Sequence, residues 1–264
     1  MVFKIKELYI YPVKSLAGIA VDEAYALNAG FRHDRRWMIT DNNHQFMTQR
    51  TIPQMAQVFV QVDGDFLTFK HKNLSHKLHI SSVENHPKEV KVWDDIALAY
   101  DTDIHTNQWL SDILHQKVRL VRMKDEQSRS HLSSATGALY HVSLADGYPY
   151  LLLGDKSLDQ LNEKLNYPVS VMRFRPNIVV RTNQAHEEDV WDRIQTASAQ
   201  FKNIKPCGRC IMINVDPERG LMTGKEPLSM LARYRKSGNS VLFGTNMICT
   251  QEGIVKKDEH ITVY

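Results

Sequence analysis

Two of the three cysteines in this chain lie close together in KPCGRC, residues 205–210. Cys207 and Cys210 could clip a zinc ion, form a redox disulfide, or leave one thiolate to bind a soft metal or act alone. A structural zinc site needs four Cys or His ligands, and no second clip accompanies this one among the 12 histidines. His71, His76 and His79 form a local group that reads as solvated loop and strand positions. A redox Cys-x-x-Cys of the thioredoxin kind opens a helix, whose N-terminus lowers the thiol pKa. Here IMINVDPERG follows: Ile211, Ile213 and Val215 alternate with Met212, Asn214 and Asp216, as in a strand running into a turn. A single thiolate suits molybdenum, copper or iron–sulfur chemistry, and Arg209 beside Cys210 would favour its charged form. Both cysteines could equally be small buried hydrophobes. Spacing alone leaves these readings open.

The rest of the chain must position this pair. It has 264 residues, 42% hydrophobic and 24% charged, enough for one large domain or two modest ones around a real core. The net charge of +3 is too small to drive nucleic-acid binding. No apolar run approaches the roughly 18 residues of a membrane span. The opening MVFKIKELYIYPVKSL alternates like a strand and has no signal-peptide core, so the expected compartment is cytoplasmic. Three cysteines cannot make a disulfide framework, which agrees with that compartment.

Short strand-like runs fill the first hundred residues: FKIKELYIYPV, RRWMITD, QFMTQR, AQVFVQV, DFLTFKH, KLHIS and KEVKVW. Residues 104–116 have apolar side chains four apart, Trp109 with Ile113 and Leu110 with Leu114, which predicts a helix. Residues 127–148, rich in Ser, Gly and Ala, read as a long loop. DKSLDQLNEKL reads as a helix capped by Asp155 or Ser157, and KEPLSMLARYR as one with Pro227 in its first turn. Strands are expected at YLLLG, RPNIVVRT, VWDRIQTA, AQFKNI, IMINVD, VLFGTNMICT and HITVY. The expected fold class is mixed α+β and mostly β.

RCIMINVDPERG followed by KEPLSMLARYR resembles the signature of the MOSC domain, the C-terminal domain of molybdenum cofactor sulfurases. LYIYPVKSLAGIAVDEAYALNAGFRHDRRWMITDNNHQFMTQR resembles the N-terminal β-barrel domain that precedes MOSC in the branch containing the amidoxime-reducing components and their bacterial relatives. GYPYLLLGDKSLDQLNEKL, FRPNIVV and LFGTNMICTQEGIVKKDE follow in the family's order. The resemblance therefore covers nearly the whole chain. It implies an N-terminal β-barrel-like domain over residues 1–122 and a β-rich MOSC domain with a few helices over 123–264.

It also implies a molybdenum–molybdopterin cofactor with Cys210 as the protein ligand of the metal and Cys207 as a neighbour. Lys14, Ser15 and Arg35 would contact the cofactor from the first domain. Arg175, Asn177, Gly208 and Arg209 would do so from the second. Arginine suits this task because its planar fork pairs with phosphate and carbonyl oxygens. Asp146, Gly147 and Tyr148 align with a stretch of short polar residues in the amidoxime reducers, and Gly147 and Tyr148 depart from it. Asn246 stands where those reducers carry a tyrosine. Asp146 is the candidate proton donor.

The activity implied is reduction of N-hydroxylated substrates by oxygen transfer to molybdenum. Three cysteines, one committed to the metal, cannot ligate a four-cysteine iron–sulfur cluster. The chain ends at HITVY without the ferredoxin-like domain of some relatives, so a separate electron donor is expected, a reductase or a small iron–sulfur or haem carrier. The alternative is a molybdenum cofactor-binding or sulfur-carrier protein, with a persulfide on Cys207 or Cys210. No nucleic-acid or membrane partner is expected.

Overall fold

A computed structural model describes residues 1–133 and 136–264. Its centre is a closed ring of seven strands: Tyr150–Gly154, Ile178–Arg181, Val2–Ile10, His260–Val263, Arg193–Gln195, Gln200–Arg209 and Ser240–Gln251, which pairs back to Tyr150–Gly154. Closure removes every free edge from the ring. Alternating side chains fill its interior, among them Ile5, Leu8, Tyr150, Leu152, Phe201 and Met247. One of the seven, Val2–Ile10, comes from the N-terminal stretch. It pairs antiparallel with both Ile178–Arg181 and His260–Val263.

The chain closes the ring at Gly244. Its φ is +72°, and a Cβ there would stand 2.7 Å from the Leu152 carbonyl oxygen on the neighbouring strand. Only glycine allows that approach without strain.

Most of the other N-terminal strands form a five-stranded sheet (Lys88–Val92, Asp95–Asp101, Arg119–Arg122, Trp37–Thr40, Val13–Lys14) and a three-stranded meander (Phe59–Asp63, Phe66–His71, Leu74–His79), while Glu23–Leu27 and Gly30–Phe31 join Gly253–Lys256 in a small sheet. The helix Ile104–Leu114 packs with them around one core that includes Trp37, Phe69, Leu110 and Leu120. Its N-cap is Asp103, whose carboxylate accepts from the Thr106 amide.

Several expectations change. Residues 127–148 are not one loop, because Arg129–Leu132 and Leu139–Val142 pair as a hairpin, with Ser134 and Ala135 outside the described residues. The alternation in IMINVD does not mark a strand. Ile211–Asn214 is a 3₁₀ turn, and only Val215–Asp216 is extended. The Asn214 side chain explains the turn: its oxygen accepts from the Leu228 amide and its nitrogen donates to the Gly224 carbonyl, so it caps the helix Leu228–Tyr234. The helix Asp155–Lys164 has Gly154, not Asp155 or Ser157, at its N-cap. The Asp155 carboxylate instead accepts from the Thr182 amide and the Ser157 hydroxyl donates to Glu188, all in buried contacts. QFMTQR forms only isolated bridges. No helix of the described residues is long and apolar enough to cross a membrane.

Candidate functional site

A cleft opens where the N-terminal sheets meet the barrel. Its inner part has a cavity volume of about 130 Å³, and an adjoining outer cavity is about 670 Å³. Of the residues singled out in the sequence, Lys14, Ser15, Arg35, Arg175 and Asn177 line the inner part. Gly208 and Cys210 line the outer one, and Asp146, Gly147, Tyr148, Arg209 and Asn246 border both. Every one of them thus reaches the same cleft.

The chain pays a conformational cost to build it. Ser15 (φ 66°), Arg35 (φ 48°), Arg175 (φ 54°) and Trp93 (φ 59°) all take the left-handed conformation that non-glycine residues seldom adopt. Such residues cluster at functional sites because surrounding structure must hold them there.

Tyr11 is the platform of the inner part. Its buried ring lies 4.4 Å below the Arg35 guanidinium and 4.2 Å from that of Arg175. Gly18 sits against it so closely that a Cβ would come within 2.3 Å of the ring. The Tyr11 hydroxyl donates to the Pro176 carbonyl, 3.0 Å away, and burial pushes its pKa up, so it stays neutral.

Arg35 is held by the Asp34 carboxylate and by the Asn177 side-chain oxygen at 3.0 Å. That oxygen also accepts from the Leu151 amide, and the Asn177 amide donates to the Tyr9 carbonyl. Asn177 therefore braces the cleft wall. Arg175 donates through Nη1 to the Leu16 carbonyl at 2.7 Å. Its Nη2 is buried with no partner. Burial pushes its pKa down to about 10, which leaves it charged at neutral pH. Arg209 donates to the Phe174 carbonyl at 2.7 Å and to the Cys207 sulfur at 3.2 Å, and its Nε is also buried without a partner.

Lys14 is buried and donates to the Leu144 carbonyl at 3.0 Å and to Asp146 at 2.5 Å. Asp146 also accepts from the Trp93 indole at 2.9 Å. Burial pushes the Asp146 carboxyl up, but the Lys14 ammonium, the hydrogen bonds from Lys14 and Trp93, and the Arg50 charge outweigh it. They hold the carboxyl well below the usual carboxylate range. Asp146 thus stands as the counter-charge of Lys14.

Sequence reasoning missed four further residues. Arg50 donates through Nε toward the Cys210 sulfur at 3.5 Å, while its guanidinium lies 4.3 Å over the Trp93 ring. Tyr11 and Trp93 complete the walls. Arg129, buried, donates to the Ser143 and Ala145 carbonyls and to Asp95, fixing the loop that carries Asp146. None sits in a spacing pattern that spells its role.

The cysteines now separate. Cys210 is exposed toward the outer cavity, and Cys207 borders both parts of the cleft. Cys249 lies elsewhere on the barrel, where burial pushes its thiol up to about 12, so it is an inert hydrophobe. Among the described residues, no group of three His, Cys, Asp or Glu side chains is placed to hold a metal ion. A four-ligand zinc clip at Cys207 and Cys210 therefore lacks its other ligands.

The inner part carries five cations (Lys14, Arg35, Arg50, Arg175, Arg209) against one carboxylate, Asp146. With two unpaired buried guanidinium nitrogens and a thiol at its rim, it suits a large polar anion that brings a metal to sulfur. A molybdenum–molybdopterin cofactor has that chemistry, and the residues fit it.

Comparison with known proteins agrees. The MOSC N-terminal beta barrel domain matches residues 2–117 and the MOSC domain residues 139–262. The chain is 29% identical to "Mitochondrial amidoxime-reducing component 1" of Homo sapiens, covering 96% of this chain and 80% of that protein. It is 32% identical to "Mitochondrial amidoxime reducing component 2" of Macaca fascicularis, covering 88% and 72%. "Molybdenum cofactor sulfurase" of Oryza sativa subsp. japonica is 28% identical over 91% of this chain, which spans 32% of that longer protein. With both domains matched in order and relatives of this kind aligned along most of its length, the chain belongs to the MOSC-domain proteins that carry the N-terminal MOSC β-barrel domain.

Proposed function

We propose that this protein is a molybdenum-cofactor-dependent oxidoreductase that reduces N-hydroxylated substrates, with electrons from a separate donor protein. The relatives' names support a molybdenum-cofactor-related role in general. One observation supports the narrower reading: the cation-rich cleft with unpaired Arg175 and Arg209 nitrogens ends beside the exposed thiol of Cys210.

Bound there, the cofactor would supply what no side chain of this chain can: two-electron oxygen-atom-transfer chemistry, with the electrons replenished by the donor protein. The chain's own part is to hold and shield it. Arg175 and Arg209 would offer free nitrogens to phosphate or pterin oxygens, and Lys14, Ser15 and Arg35 line the same cavity. Asn177 keeps Arg35 aimed. Cys210 supplies the sulfur ligand, and Arg50 beside it offers a hydrogen bond that orients the sulfur. Asp146 neutralises Lys14, so the ammonium can remain charged while buried.

The second reading, a sulfur carrier, draws on Cys207. Its sulfur borders the cleft and accepts from Arg209, which would favour a persulfide anion there.

The deciding experiment expresses wild type and Cys210→Ser in a host that makes the cofactor. Molybdenum is measured by elemental analysis and pterin by the fluorescence of its oxidised form. The reductase reading expects near-stoichiometric metal in wild type. It expects loss of metal or of turnover, with pterin retained, in Cys210→Ser. Absence of both metal and pterin from wild type rejects it.

A further inference from the structure

The outer cavity has a character of its own. Its cations are presented by aromatic rings. Arg50 lies over Trp93 at 4.3 Å, and the Lys205 ammonium over Tyr148 at 5.3 Å. Tyr148 is backed in turn by Tyr140, stacked at 4.8 Å and 8°. Trp93, strained at φ 59° and 49% exposed, is anchored through its indole N–H to Asp146 and packed edge-on by Phe46 at 5.0 Å. These rings fix where the two charges stand.

The charges are also unspent. Among the described residues no carboxylate lies within ion-pair distance of Lys205 or Arg209, and Arg50 reaches only Asp146, at 4.0 Å. Asp146 is already committed to Lys14 at 2.5 Å. Arg209, which borders the same cavity, keeps a buried Nε without a partner. A concave space lined by one sign of charge with low-dielectric walls concentrates ions of the other sign.

We infer that the outer cavity is the substrate's compartment and that it selects anionic substrates. The class is an N-hydroxylated molecule with a carboxylate or phosphate-like group, the negative end held by Lys205 and the N-hydroxyl end toward Cys210 and its neighbour Arg50, all of which line the same cavity. This rests on the reductase reading above and narrows it. Lys205 is the specificity-determining residue, since it sits at the open side and does not line the inner part of the cleft.

The test uses three probes of one shape: benzamidoxime, its 4-carboxylate and its 4-(trimethylammonio)methyl analogue. Cofactor-loaded wild type, Lys205→Met and Lys205→Arg are compared for kcat/KM with chemically reduced benzyl viologen as the electron donor, with molybdenum and pterin contents measured in each. Binding of each probe to the same preparations is followed by calorimetry. Wild type should favour the carboxylate over the neutral probe by about tenfold, the worth of one charge-assisted contact. The preference should collapse in Lys205→Met, return in Lys205→Arg, and weaken with salt, at equal cofactor content. An unchanged preference in Lys205→Met, or a preference for the cationic probe, overturns the inference. So does pterin loss in Lys205→Met, because the cavity would then hold the cofactor itself. If no probe turns over, the reductase reading fails on its own. Calorimetry still decides the anion site, by whether the carboxylate binds tighter than the neutral probe and loses that advantage in Lys205→Met.

Discussion

Lys14 and Asp146 are 132 positions apart and meet at 2.5 Å, one buried and the other half-exposed. The folded carboxyl titrates below its unfolded value, so the stability this pair contributes is fully present above the ordinary carboxylate pKa. It is lost as pH falls through the depressed folded value. Asp146→Asn should therefore lower the unfolding midpoint at pH 7, by an amount worth about 1 kcal/mol because the carboxylate is 48% exposed. The deficit should shrink below about pH 4, which thermal unfolding across pH would show. Because the carboxylate is ionised throughout pH 5 to 8, activity in that range should carry no inflection that disappears in Asp146→Asn. At this scale the sequence was legible where a motif carried the residue: Lys14 in YPVKS, Arg175 and Asn177 in FRPN, Cys210 in GRC all reach the cleft. Tyr11, Arg50, Trp93 and Arg129 were not, because their roles arise from what the fold stacks against them. The pairing of Asp146 with Lys14 and Trp93 was hidden for a related reason. A protonation state depends on neighbours, and Lys14 and Trp93 are distant in sequence.

Among the elements, the strands Tyr150–Gly154 and Ser240–Gln251 meet at Gly244 to close the ring. Gly244→Ala puts a side chain at φ +72° and against a carbonyl at 2.7 Å. It should cost about 2 kcal/mol or more, read as a lower midpoint in urea at unchanged slope. Long periodic segments were legible. The helix read over 104–116 is Ile104–Leu114, with Leu110 and Leu114 facing the core as their spacing requires. Short ones were not. In IMINVD six residues alternate, yet the first four form a 3₁₀ turn whose Asn214 side chain caps the next helix. Alternation over so few residues cannot outweigh one well-placed hydrogen-bonding group. The hairpin of Arg129–Leu132 with Leu139–Val142 was hidden by serines and glycine, whose weak strand propensity is offset by pairing and by Tyr140 stacking on Tyr148.

For the whole molecule, the strand Val2–Ile10 ties the two matched regions together. It lies within the first, 2–117, yet it is one of seven staves of the barrel that the second completes. Residues 123–264 expressed alone should leave that ring open between Ile178–Arg181 and His260–Val263, with two unpaired edges and Ile178, Val180 and Ile261 uncovered. The fragment should aggregate or show the poor amide dispersion of an unfixed core by NMR, and the full chain should not. No local pattern could reveal this pairing, since the partners are some 170 to 260 residues apart.

The same strand sets a schedule for synthesis. Val2–Ile10 leaves the ribosome first among the barrel's strands and His260–Val263 last. At roughly 5–20 residues per second, the early strand waits on the order of ten to fifty seconds for its final neighbour. Its other neighbour in the ring, Ile178–Arg181, emerges earlier, but the edge that His260–Val263 will cover stays unpaired throughout that interval. Nascent chains should therefore engage holding chaperones until His260–Val263 has emerged, however early the N-terminal sheets have packed.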